Sequence, residues 1–97
     1  MDKTQALAIV ERALTALNEE LAELERIAVT PDVRLFGADS QIDSLSLVSV
    51  IVDVESEVSD AVGYPVSLTD DRAIAREPSP FSTPDTLAHY IAEITAG

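Results

Sequence analysis

From Leu45 to Ala61 the apolar residues recur at helical spacing on two separate faces. Leu47, Val50, Ile51, Val54, Val58 and Ala61 form one stripe; Leu45, Val48 and Val52, at i, i+3 and i+7, form a second. The β-branched run from Val48 to Val54 is compatible with a strand. Its length and the lack of strict alternation predict a helix over about 44–61 instead. Ser46, Ser49, Asp53, Ser56 and Glu57 occupy the remaining, polar positions. One apolar stripe is enough to meet a core. The second either faces a partner or marks a central helix buried on nearly all sides, and both readings stay open.

The rest of the chain reads as helices that supply that core. Leu7, Val10, Leu14, Leu17, Leu21, Leu24 and Ala28 alternate at three and four, which predicts a first helix over about 4–28. Asp2 with Gln5, or Thr4, can cap its start. So regular a stripe also fits a coiled-coil seam, but about three heptads is the lower limit for one. Packing within a monomeric chain is expected. Pro31 lies beyond its end, and residues 29–43 form a long loop with Leu35 and Phe36 as apolar anchors and Gly37 at a turn. Asp43 is the expected N-cap of the second helix, and Gly63 its C-cap. Val66 and Leu68 alternate inward along an extended stretch, a short third helix follows over about 71–76, and Phe81 plugs the core. Thr83 as N-cap, Pro84 at the first position and Asp85 near the positive dipole end open a last helix over about 84–95. The expected class is all-α: a single domain over residues 1–97, built as a four-helix bundle.

Composition narrows the function. The 97 residues carry a net charge of −12, so nucleic acid and anionic membranes are poor partners. No basic residue lies between Arg34 and Arg72, whereas Asp39, Asp43, Asp53, Glu55, Glu57, Asp60, Asp70 and Asp71 do. That acidity serves solubility, or steers partners that present basic patches. Without cysteine there is no disulfide, thiolate nucleophile or cysteine zinc site. No apolar run approaches membrane-spanning length and no signal-peptide pattern opens the chain, so the cytoplasm is the expected compartment.

No self-contained catalytic site can be read. Glycine-rich phosphate loops, His-x-x-x-His and Gly-x-Ser-x-Gly are absent, and the single His89 lies on or near a polar side. No catalytic residue and no metal ligand is assigned. The position with chemical promise is Ser44, which opens the second helix directly after Asp43. A helix N-terminus favours a phosphate through its free N–H groups and positive dipole end. The bare serine is an unactivated hydroxyl, better suited to being modified by another enzyme.

Asp43-Ser44-Leu45 at the start of a helix, in a small acidic chain, resembles the attachment site of the acyl carrier protein family. The helix order from about Gln5 to Ile94, and Leu35-Phe36-Gly37 with Ser44 seven residues on, are also similar to that family. The resemblance implies 4′-phosphopantetheine, donated from coenzyme A and attached to Ser44, with Asp43 and Leu45 beside it. It implies a phosphopantetheinyl transferase, an acyl- or aminoacyl-loading ligase and downstream transferases as partners. It makes Leu45, Val48 and Val52, one, four and eight residues after the serine, the surface that meets the partner or the arm. Asp53, Glu55 and Glu57 join them as docking residues. Where carriers of fatty-acid synthesis usually have acids, two and five residues after the serine, this chain has Ser46 and Ser49. That departure favours dedicated partners of a specialised pathway. The second helix is also similar to that of D-alanyl and other aminoacyl carriers, and the first helix is longer than usual in the family. An unmodified acidic interaction module is the alternative, with a hydrolase using Ser44 a distant third.

Overall fold

The computed structural model describes residues 1–23, 26–35, 42–69, 73 and 79–96, and among them sequence periodicity becomes three full helices. Helix α1 spans Lys3–Glu20, α2 spans Ser44–Val62 and α3 spans Pro84–Thr95, with no strand among the described residues. The radius of gyration is 12.6 Å, close to the ~12.5 Å of a compact chain of this length. Helix α1 packs against both α2 and α3.

Each helix begins where its capping chemistry lies. Asp2 accepts from the Gln5 N–H at 2.8 Å while the Gln5 side chain takes the Asp2 N–H at 3.1 Å, a reciprocal capping box. Thr83 and Thr86 make the same exchange at the start of α3, with Pro84 at the first position. The chain leaves α2 through Gly63 at φ 83°, a conformation that glycine adopts without a Cβ penalty.

Helix α1 ends at Glu20 and not near Ala28, because the backbone beyond it has a better partner than the next turn. Leu21 is extended at φ −97° and ψ 150°. The Asn18 side chain accepts from the Ile27 N–H and donates to the Ile27 carbonyl, both at 2.9 Å. Arg26 Nε donates to the Asn18 carbonyl, also at 2.9 Å. Asn18 thus folds the chain back on the end of α1, a side-chain bond outcompeting the helical ladder. Leu21 is half-buried against the core, Ala28 is exposed, and Leu24 lies outside the described residues.

Ala6, Ile9, Val10, Ala13, Leu14 and Leu17 of α1 meet Leu47, Val50, Ile51, Val54 and Val58 of α2 and Leu87, Ala88, Tyr90 and Ile91 of α3 in one apolar core. Each large aliphatic side chain buried there contributes on the order of 1.5–3 kcal/mol relative to exposure. Ile27, Val33, Leu35 and Leu68 complete the core from the connections, and Phe81 packs against it half-buried. Pro31 and Leu35 also tie the first connection to the start of α3. The Asp85 N–H donates to the Pro31 carbonyl at 2.9 Å, and the Leu35 N–H to the Ser82 carbonyl at 2.8 Å. Phe36, Gly37 and the short helix expected over 71–76 lie outside the described residues, apart from Ala73, which is buried.

Candidate functional site

Asp43 fixes the start of α2, and with it the position of Ser44. Its backbone is extended, at φ −80° and ψ 169°. Its carboxylate accepts from the Ser46 N–H at 2.7 Å, and its carbonyl accepts from the Leu47 N–H at 3.0 Å. The Ser46 N–H and then the Ser46 hydroxyl hold the Asp43 carboxyl below its ordinary value of 3.8; desolvation opposes them, and the Leu45 N–H adds a smaller lowering. Ile42 and Leu47 stand at the N′ and N4 positions, where a hydrophobic staple forms; Leu47 is buried in the core and Ile42 packs half-buried against it. Ser44 is the first residue of α2, where the positive end of the helix dipole lies.

The second apolar stripe faces outward. Leu45 is 84% exposed, Val48 57% and Val52 55%, so α2 is not buried on all sides. These three side chains run about 10 Å along the helix from its first turn. Large exposed aliphatics concentrated on one helix face are the kind of surface that meets a partner.

The three acidic residues expected beside this row have separate surroundings. Asp53 is exposed. Glu57 lies at the α1 side of the helix, where the Arg12 guanidinium donates to its Oε2 at 3.1 Å. Glu55 lies on the opposite flank, half-buried, and its Oε2 accepts from the Leu68 N–H at 2.6 Å. One turn on, Ser59 Oγ accepts from the Val66 N–H at 2.9 Å. Glu55 and Ser59 therefore hold the extended stretch after Gly63 against α2, which seats Leu68 in the core. No local pattern announces these contacts, whose partners are separated by 45, 13 and 7 residues in the chain.

His89 is exposed on α3. Among the described residues no group of three or more His, Cys, Asp or Glu side chains is placed to hold a metal ion. Every buried side-chain nitrogen or oxygen among them has a hydrogen-bond partner. None of the described helices is long and apolar enough to cross a membrane. No family model matches the chain, and searches of curated proteins and of solved structures return no match.

Proposed function

We propose that this chain is a stand-alone carrier protein of the acyl carrier type, modified on Ser44 with 4′-phosphopantetheine and built as a four-helix bundle with a short third helix. The observation that carries the reading is one helix with two properties. Helix α2 opens at Ser44, and the same helix turns Leu45, Val48 and Val52 to the outside. The residues present fit the group. The dipole end of α2 favours the phosphate, and the exposed row offers an apolar surface alongside it.

The bound group supplies a thiol that holds an acyl or aminoacyl cargo as a thioester. The chain's own part is presentation. Asp43 holds the first turn of α2 in register, and the exposed row gives partner enzymes a surface beside the attachment point. Tethering raises the cargo's local concentration at any enzyme that docks. Loading belongs to a dedicated ligase, of the D-alanyl or another aminoacyl type in the main variant. The chain catalyses no reaction by itself.

The exposed row equally favours an unmodified acidic interaction module. Incubation with coenzyme A and a broad-specificity phosphopantetheinyl transferase separates the two. Transfer of one arm to the wild type, and none to Ser44→Ala, supports the carrier. An unchanged mass, with a known carrier modified in parallel, supports the module.

A further inference from the structure

We infer that residues 64–68 form a strap that lifts from α2 as one unit, hinged at Gly63, while the helices stay formed. Such a strap works whether or not Ser44 carries an arm, and so goes beyond the carrier reading.

Side chains, and not the backbone of a neighbouring element, hold this segment. The Glu55 carboxylate takes the Leu68 N–H at 2.6 Å, and the Ser59 hydroxyl oxygen takes the Val66 N–H at 2.9 Å. The two acceptors stand one turn apart on α2 and the two donors alternate along the extended chain, so both bonds lie on one side of the strap. Among the described residues, no backbone–backbone hydrogen bond involves residues 64–69. Tyr64, Pro65, Ser67 and Thr69 are exposed, Val66 is half-buried, and within the strap Leu68 alone is buried. A segment with one buried side chain and two side-chain latches has far less to lose on opening than a helix of the core.

The hinge suits the movement. Gly63 leaves α2 at φ 83°, and nothing lies within 4 Å of where a Cβ would stand, so no neighbour crowds it. Its own N–H is bonded to the Ser59 carbonyl at 2.9 Å, which keeps the end of α2 capped while the strap moves. Viewed down α2, Ser59, Val48 and Glu55 lie about 40°, 60° and 80° round the axis from Leu45, all in the same direction. The strap therefore covers the continuation of the outward face that carries Leu45, Val48 and Val52. Closed, it ends that face near Val52. Lifted, it bares a further turn of α2 and vacates the place of Leu68 in the core.

Native-state hydrogen exchange of the intact protein, at rising urea below the unfolding transition, tests the strap. The Val66 and Leu68 amides are expected to share one opening equilibrium with little dependence on urea. That opening is expected to be at least about tenfold more populated than the one that exposes the Val54 and Val58 amides of α2. Glu55→Ala is expected to speed exchange at both strap amides by roughly ten- to a hundredfold, the change that a hydrogen bond to a charged group supports. Acceleration at Val66 is the decisive reading, because its own acceptor, Ser59, is intact in that variant. Strap amides that open with the same constant and urea dependence as the helix amides would overturn the separate opening. Different opening constants at Val66 and Leu68, or a Glu55→Ala effect confined to Leu68, would overturn the single unit.

Discussion

The Glu55 carboxylate reaches 13 residues along the chain to take the Leu68 N–H at 2.6 Å, and so pins the segment after α2 to the helix. Leu68 is fully buried, and the half-buried Glu55 side chain covers its N–H. Glu55→Ala is expected to lower stability by about 1.5–3 kcal/mol, the net contribution of a hydrogen bond to a charged group. Glu55→Gln, which keeps an accepting oxygen, loses less. Urea unfolding of the two variants checks the order; equal losses would mean that the hydrogen bond itself contributes nothing.

Asn18 closes the end of α1 by pairing with both backbone groups of Ile27. Asn18→Ala is expected to cost about 1–3 kcal/mol, since both groups are half-buried. Asn18→Asp still accepts from the Ile27 N–H but sets a carboxylate oxygen against the Ile27 carbonyl, so it rescues little. Thermal unfolding that leaves the aspartate variant at wild-type stability contradicts this pairing.

The Asp43 carboxyl is held below 3.8 chiefly by the Ser46 N–H. A group whose folded value is depressed stabilises fully above its unfolded value and loses that contribution as pH falls through the folded one. The wild type is therefore expected to shed stability as pH drops below about 3.8. Asp43→Asn still caps the helix, but its contribution does not titrate. Thermal melts at successive pH values show curves that converge or cross in acid if this holds. Parallel curves would remove Asp43 from the acid limb.

Val48 sits mid-row on the outer face of α2, 57% exposed. Val48→Asp is expected to change stability by about 0.5 kcal/mol or less, while weakening partner docking severalfold. Paired measurements of unfolding and of transferase KM read the two effects. A collapsed fold would place Val48 in the core after all.

Much of this fold was legible because its signals are local. The stripe from Leu47 to Val58 reads directly as the buried face of α2, and Asp43, Gly63, Thr83 and Pro84 mark helix ends through their own side chains or backbone. The end of α1 was not legible from periodicity, since Leu21 and Ala28 continue the stripe in phase. Asn18 overrides that phase through Ile27. A weaker local sign was present in Glu19 and Glu20, which bring negative charge to the negative end of the dipole. The role of Glu55 and the pairing of Glu57 with Arg12 depend on which elements become neighbours, so no window of sequence holds them. In the candidate site, Ser44 and its cap are written in the sequence. The exposure of the second stripe had to come from the packing of α2.

The most direct test of the account is the intact mass of the protein after incubation with coenzyme A and a phosphopantetheinyl transferase, with fragmentation to locate any added group. The account predicts a gain of one phosphopantetheine, carried by the peptide containing Ser44 and abolished in Ser44→Ala. A wild type that stays unmodified beside a modified control carrier, or an added group that persists in Ser44→Ala, would contradict it.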